Sequence, residues 1–528
     1  MSLEHDDVVG TQWDGSHDVA WNRDETPGRL DVTASSTRLA ATLSADGAEP
    51  LRHHIAQISL MHGWVPLAVQ VIAAVVLACG VGWRSRGWRL RWLPLTALVA
   101  VVLAVAAHSY IGSLGVAGAP APRALWTWIG LTGLALGVLV VGWRSASWGR
   151  RGVSVVAVPL CALSCALALN VWVGYFPTVH TAWSQLTARP LPDQIDRAVV
   201  TTMQRTRAQP PRGTVVSVSI SAEASKFKHR DELVYLPPAW FASDPPPRLP
   251  VVMMVGAEFN TPADWLRAGN AVTEVDRFAS AHAGNAPVLV FVDPSGAFSN
   301  DTECVNGTRG NAADHLTKDV PPYMIENFGV SPAAANWGVA GFSSGGTCAV
   351  DLTVMHPEKF SAFVDIAGDL SPNAGTRAQT IARLFGGSAP AWAAYDPATV
   401  ISRHGRYTAV SGWFVVSAAP QNPRRNVPAG ADGTLGAGGR DPVGTAEALT
   451  ADSLCELGSA HGIACAVVAE PGKHDWPFAA QAFAAALPWL AGHLGTPGVA
   501  VLPLPAPSSA VVSPAQPRPA LRTEAAGK

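Results

Sequence analysis

The sequence predicts an α/β domain, a mostly parallel sheet flanked by helices, preceded by four transmembrane helices. Three observations lead there. No Asp or Glu occurs between Glu49 and Asp193, and four apolar runs fill that gap. From Gly213 onward, short β-rich runs alternate with helical stretches. A serine bracketed by glycines stands where one of those runs passes into a helix. Composition agrees: charged residues are 14% of the 528 and hydrophobic residues 48%, whereas an ordinary soluble chain is about 25% charged. Such averages exclude a wholly disordered chain and a purely soluble enzyme. The net charge of −2 supplies no basic field for nucleic acid.

The four runs cover residues 64–83, 92–116, 124–143 and 152–176, each about 20 residues or longer, enough for a helix to cross a bilayer core. Trp and Tyr cluster near their ends, as amphipathic rings do at the headgroup level. Arg84, Arg86, Arg89 and Arg91 lie in the first loop and Arg144, Arg150 and Arg151 in the third, but only Arg123 in the second. The positive-inside rule then puts loops one and three in the cytoplasm and both termini outside. The expected location is a plasma membrane, multi-pass, with the following domain extracytoplasmic. No charged residue lies within a run, which argues against an ion or proton pathway. His108 and Asn170 are expected to make hydrogen bonds between helices.

The remaining organisation follows from composition. Residues 1–61 read as an acidic irregular tail, 62–177 as the membrane block, 178–212 as a linker, 213–494 as the α/β domain and 495–528 as a Pro/Ala-rich tail. Strands are expected over 214–220, 232–236, 250–255, 287–292, 337–342, 362–366, 413–417 and 464–469. Helices are expected over 264–281, 344–356, 443–461 and 476–493. This alternation indicates a largely parallel sheet covered by helices.

The chemistry centres on Gly341-Phe342-Ser343-Ser344-Gly345, a G-x-S-x-G motif between an apolar strand and a helix. On such a turn the serine hydroxyl is exposed, and small neighbours let helix and strand approach closely. In that context Ser343 is the candidate nucleophile. The helix N-terminus and the Ser344 N–H can stabilise an oxyanion. The second donor should follow an earlier central strand, where the Ala257 N–H is the candidate. A serine needs a base, and the order Ser, acid, His selects His474, in the loop after the last strand. The acid is expected after the preceding strand, but Ser417-Ala-Ala-Pro-Gln-Asn-Pro-Arg424 holds none. Asp441 is the preferred acid, ahead of Asp432 and Glu447, although Asp441-Pro442 also suits a helix N-cap. The acidic loop Asn300-Asp-Thr-Glu-Cys304 lacks the spacing of a calcium loop. Capping or substrate hydrogen bonding is expected there, and no metal.

From about residue 214 to 493 the chain resembles the esterase family that includes the antigen 85 mycolyltransferases and esterase D-like enzymes. The matching pieces are residues 341–346, His356-Pro-Glu-Lys-Phe360, Phe328-Gly-Val-Ser-Pro332 and Gly472-Lys-His-Asp-Trp476, in that family's order. The resemblance implies an α/β-hydrolase fold, Ser343 as nucleophile and His474 as base. It also implies ester hydrolysis or acyl transfer without a cofactor, on an ester, acyl-lipid or glycolipid substrate. The four-helix anchor resembles membrane-tethered esterase-like proteins of high-GC bacteria. The missing strand-end acid departs from the family pattern. It is also the best support for an alternative, a catalytically inactive hydrolase-like protein that binds envelope glycan or lipid.

Four cysteines, Cys304, Cys348, Cys455 and Cys465, lie in the α/β domain and allow three pairings. Cys304–Cys348 would tie the acidic loop to the nucleophile helix, and Cys455–Cys465 a helix to the next strand. Disulfides suit an oxidising exterior.

Overall fold

The computed structural model describes residues 58–505, apart from 62, 84–85, 115–121, 188–190, 192, 298 and 419–442. Its first part is a bundle of apolar helices: α1 (Trp64–Gly80), α2 (Leu93–Leu114), α3 (Arg123–Gly142) and α4 (Trp148–Val173). Side chains such as Leu98, Val102 and Val140 point outward and are exposed, an apolar surface that suits hydrocarbon rather than water. Three stretches, Trp88–Ile111, Arg123–Ser145 and Trp148–Trp172, are long and apolar enough to cross a membrane, whereas α1 is apolar but shorter. The sequence led us to expect four spans, the first over 64–83. That helix ends earlier because Gly82 adopts φ 72, a left-handed conformation that stops a helix.

Small residues let the helices approach. A Cβ on Gly137 would lie 2.9 Å from the Thr96 Cβ, and one on Gly133 3.4 Å from the Ala100 Cα. Asn170 does not bridge helices as expected. Its Nδ2 donates to the Phe176 carbonyl at 2.9 Å and its Oδ1 accepts the Phe176 N–H at 2.7 Å, closing the C-terminal turn of its own helix. The His108 ring lies 4.7 Å from that of Trp126 on the next helix, a ring contact rather than the expected hydrogen bond. The first and third loops share one end of the bundle. A Cβ on Gly82 would meet the Arg150 guanidinium, and Arg151 lies over the Trp143 and Trp148 rings. At the opposite end the Leu60 N–H donates to the Pro177 carbonyl, and Ser59 bridges Thr178.

Eight strands then form one sheet: β1 (Thr214–Val218), β2 (Glu232–Leu236), β3 (Val251–Val255), β4 (Val288–Val292), β5 (Trp337–Phe342), β6 (Ala362–Ile366), β7 (Ser411–Ala418) and β8 (Ala464–Pro471). Their spatial order is β1-β2-β4-β3-β5-β6-β7-β8. The β1–β2 and β2–β4 pairs are antiparallel and the others parallel. Helices α5 (Ala271–Ala281), α6 (Val320–Phe328), α7 (Ser344–Met355), α8 (Val443–Ala460) and α9 (Trp476–His493) cover it. On one face Val251, Met253 and Val255 share a core with Phe328, Leu352 and Leu454. On the other, Val252 and Met254 pack with Val275, Phe483 and Leu490. Burial on both faces explains why the central strands read as unbroken apolar runs.

Each expected strand is present, with ends moved by a residue or two. Three segments differ from expectation. The helix anticipated over 264–281 breaks into Asp264–Arg267 and α5, because Asn270 takes φ 52. A Cβ on Gly269 would lie 2.8 Å from the Trp265 carbonyl oxygen and 2.9 Å from the Trp476 ring, so only glycine allows this packing. Residues 178–212 form more than a linker. They contain helices Val179–Leu186 and Arg197–Arg205. The Ile195 N–H donates to the Val215 carbonyl and the Val215 N–H to that of Asp193, both at 2.9 Å, covering the edge of β1. Residues 495–505, read as tail, lie against the domain, with Thr496 buried and Val499 and Leu504 packed beside α9. The expected tails over 1–57 and 506–528 lie outside the described residues.

The structure pairs Cys304 with Cys348 and Cys455 with Cys465, with Cα atoms 5.7 Å apart in each. Cys79, Cys161 and Cys165 are free. The packing at Gly269 yields a direct expectation. Gly269→Ala should lower stability by about 1–3 kcal/mol, the usual cost of overpacking a filled interior. A fall in the thermal midpoint of the detergent-solubilised protein would report it.

Candidate active site

The site is built at the C-terminal end of β5. Ser343 links β5 to α7 with φ 58 and ψ −124, a conformation that costs about 1–3 kcal/mol in a non-glycine residue. Two sets of backbone bonds hold it. The Ser343 N–H donates to the Ile366 carbonyl of β6 at 2.8 Å, and the Gly346 and Thr347 N–H groups donate to the Ser343 carbonyl. The flanking glycines are required by space rather than by flexibility. A Cβ on Gly341 would lie 1.9 Å from the Gly345 carbonyl oxygen, and one on Gly345 2.4 Å from that of Val255. A Cβ on Gly346 would lie 2.2 Å from Asp365 Oδ1. Asp365 also accepts the Gly368 N–H at 2.7 Å, and burial pushes its carboxyl up to about 8. A largely neutral acid therefore lies beneath the elbow near pH 7.

Ser343 Oγ lies 2.9 Å from His474 Nε2, and His474 Nδ1 lies 2.8 Å from Glu447 Oε1. Glu447 Oε2 accepts both the Ser417 N–H, at 3.2 Å, and the Ser417 hydroxyl, at 2.9 Å. The His474 ring lies 5.0 Å from that of Phe342. The next residue, Asp475, caps α9 by accepting the Phe478 N–H, which anchors the histidine loop to a buried helix. Burial lowers the His474 pKa, but the Glu447 carboxylate, with help from Asp369 and Asp475, reverses this and leaves the net shift upward.

The carboxylate on His474 is therefore Glu447, the third choice from the sequence, and the preferred Asp441, like Asp432, lies outside the described residues. The physical reason is side-chain reach. No acid follows β7 directly, and a glutamate from the first turns of α8 reaches back to the strand end, where Ser417 holds it. A signal was available in the sequence. Ala451 and Leu454 of α8 are buried against the sheet, and Glu447 stands four and seven residues earlier, on the same apolar stripe.

The oxyanion candidates converge on the same turn. Ser344 opens α7, so its N–H has no partner within the helix. Ala257 follows β3, whose Val255 is in register with Gly341. A Cβ on Gly345 would lie 2.6 Å from the Gly256 carbonyl oxygen, placing the Ala257 turn against the elbow. Arg230 steadies that turn. It donates to the Asn260 carbonyl at 2.8 Å and makes a bidentate pair with Asp293, at 2.6 and 2.9 Å. Burial raises the Asp293 carboxyl, yet the Arg230 guanidinium outweighs it and holds the group below its usual range.

The acidic loop is satisfied internally. Asp301 accepts the Glu303 N–H and pairs with Arg309, and Glu303 accepts the Asn373 N–H. Burial raises the Glu303 carboxyl well above its ordinary value. The Cys304–Cys348 pair ties this loop to the second turn of α7.

Two contacts that the sequence reading missed join the helical bundle to the site. Tyr175, just past α4, donates its hydroxyl to Asp264 Oδ1 at 2.5 Å. Gly174, at φ 71, lies so near Asp475 that a Cβ there would come 2.5 Å from the Asp475 Cβ.

A serine on a strand-to-helix elbow, within this strand order and with a histidine and a carboxylate in line, defines an α/β-hydrolase. The chain belongs to an esterase family of that superfamily. The family model described as "Putative esterase" matches residues 228–490. An uncharacterized protein of Corynebacterium glutamicum is 30% identical over 368 residues, which are 66% of this chain and 82% of that one. Solved structures match at lower identity. An S-formylglutathione hydrolase from Agrobacterium tumefaciens is 18% identical with a TM-score of 0.42, over 54% of this chain and 97% of that one. MPT51 from Mycobacterium tuberculosis is 18% identical with a TM-score of 0.35, over 52% and 99%.

The hydrogen-bond chain sets a pH expectation. The neutral His474 ring is the form that can take a proton from Ser343. Modification of Ser343 by a fluorophosphonate should therefore slow as pH falls, with a midpoint above 6.5 because the His474 pKa is raised. Glu447→Gln should move that midpoint downward and slow modification by about 10²–10⁴-fold. Measuring the inactivation rate against pH for both proteins checks it.

Proposed function

We propose that this protein is a membrane-anchored, extracytoplasmic serine esterase or acyltransferase that works through an acyl-enzyme on Ser343. The observation that carries the reading is the continuous chain from Ser343 Oγ through His474 to Glu447. His474 Nε2 takes the hydroxyl proton as Oγ attacks the ester carbonyl. The Ser344 and Ala257 N–H groups receive the developing oxyanion, and Glu447 steadies the imidazolium. His474 then protonates the leaving alkoxide. The acyl group passes to water, or to a sugar or lipid hydroxyl, once the same ring has removed its proton. Glu447 takes the acid's role in this reading, in place of Asp441.

The inactive-binder reading rested on the missing strand-end acid, and Glu447 against His474 favours the catalytic one. Ser343→Ala should cut hydrolysis of a short-chain p-nitrophenyl ester by about 10⁴-fold or more. An unchanged rate, with no fluorophosphonate labelling of wild-type Ser343, would favour the binder.

Four spans are proposed, with α1 as the first, since its 17 residues fall at the lower limit of roughly 17–25 for a spanning helix. The arginine-bearing loops at one end of the bundle support a cytoplasmic position for that end. The two disulfides of the α/β domain support an exterior position for it. The contacts of Gly174 with Asp475 and of Tyr175 with Asp264, just past α4, support a histidine loop close to the proposed membrane exit, which favours acyl-lipid or glycolipid esters as substrates. In intact cells, a membrane-impermeant maleimide should label Ser402→Cys in the α/β domain. Ser147→Cys in the third loop should react only after the membrane is permeabilised. The reverse pattern would overturn the orientation.

A further inference from the structure

The start of β2 and the segment after the short hairpin Asn306–Gly307/Gly310–Asn311 bring two histidines onto one buried carboxylate. Glu232 is wholly buried, and its Oε1 lies 3.1 Å from His229 Nδ1 and 2.8 Å from His315 Nε2. The three donor atoms lie within 4.8 Å of one another. Glu232 Oε2 is buried with no hydrogen-bond partner, an unfavourable state for a carboxylate oxygen. One oxygen is thus crowded by two rings while the other has no donor, which is a poor use of a carboxylate as a hydrogen-bond acceptor.

The surroundings have the form of a ligand shell. His315 directs Nε2 at Glu232 and sets its other nitrogen, Nδ1, 3.3 Å from Asp319 Oδ2. Asp319 is itself fixed by the N–H groups of Ala224 and Ser225. A carboxylate behind the far nitrogen of an imidazole is the usual support of a metal-bound histidine. His229 Nδ1 donates to the Arg230 carbonyl at 2.8 Å, and binding an ion through that nitrogen releases this proton. The rings of His229 and His315 are stacked at 4.1 Å. In a tetrahedral site with bonds near 2.0–2.1 Å, neighbouring donor atoms stand about 3.3 Å apart. The observed 2.8 and 3.1 Å separations need to open by only a few tenths of an ångström.

We infer that His229, Glu232 and His315 form a binding site for a divalent transition-metal ion, with Zn²⁺ as the best match to two imidazole nitrogens and a carboxylate oxygen. Imidazole with carboxylate suits Zn²⁺ better than the all-oxygen sets that calcium and magnesium take. The ion's role is structural. It fastens the segment before β2, β2 itself and the π-helical turn His315–Asp319 to one centre. Arg230, adjacent to His229, carries that bracing to the Asn260 carbonyl and so to the turn bearing Ala257. No group of the Ser343 chain takes part.

The test uses the full-length protein in detergent, stripped with a chelator and titrated with Zn²⁺. The expected result is one tightly bound equivalent and a thermal midpoint raised by about 5 °C or more at saturation. Co²⁺ in place of Zn²⁺ should give tetrahedral visible bands and hyperfine-shifted imidazole N–H resonances from two histidines. Glu232→Gln should lose the bound equivalent and the thermal shift while fluorophosphonate labelling of Ser343 persists as the sign of a folded domain. If Glu232→Gln does not fold, the cobalt spectrum of the wild-type protein decides. Absence of stoichiometric Zn²⁺ with no thermal shift overturns the site. So does full metal retention in Glu232→Gln, or a cobalt spectrum without histidine resonances.

Discussion

The backbone at Ser343 is the constraint on which the domain's architecture turns. An L-residue at φ 58 is unfavourable, and it persists because β3, β5 and β6 are clamped in parallel around it. Gly341, Gly345 and Gly346 let the clamp close, since each lies where a side chain would strike a carbonyl or carboxylate oxygen. The strain has a geometric product. It lifts the hydroxyl above the sheet, aims it at His474 and leaves the Ser344 N–H at the open end of α7. Sheet order, glycine placement and chemistry are therefore one problem with one solution.

Much of this was legible in the sequence because it is periodic or local. The eight strands announce themselves as apolar runs, since a sheet buried on both faces needs apolar residues throughout. The elbow is legible because its glycines are contiguous with the serine. His474 is legible from its place after β8. Glu447 was read as third choice because its role depends on reach and on a partner, Ser417, that is remote in sequence and carries no charge. The signal that would have raised it is a carboxylate on the buried stripe of α8. The break at Gly269 was invisible for a similar reason, as it depends on Trp476, which is more than two hundred residues away. The shortening of α1 turns on one glycine, which hydropathy averages away.

The junction between the helical bundle and the enzyme domain is built from residues with no conspicuous signature. Asn170 closes α4, Gly174 reverses the chain, and Tyr175 reaches Asp264. Gly174 touches Asp475, the residue that caps α9 and adjoins His474. The chain therefore leaves the bundle through a fixed turn with a defined footing on the domain. The segment after it then covers the β1 edge, so an exposed strand and a free tether are avoided by the same stretch.

The bond between Ser417 and Glu447 has an evolutionary consequence. In a serine hydrolase whose acid follows the strand directly, the loop leaving that strand must carry the carboxylate and keep its length and shape. Here the strand contributes a hydroxyl and the helix contributes the acid, and the two meet directly across the 419–442 interval. In the proposed mechanism that interval supplies no catalytic group. Its length and composition can drift, or take on a new recognition task, while the charge behind His474 stays where it is.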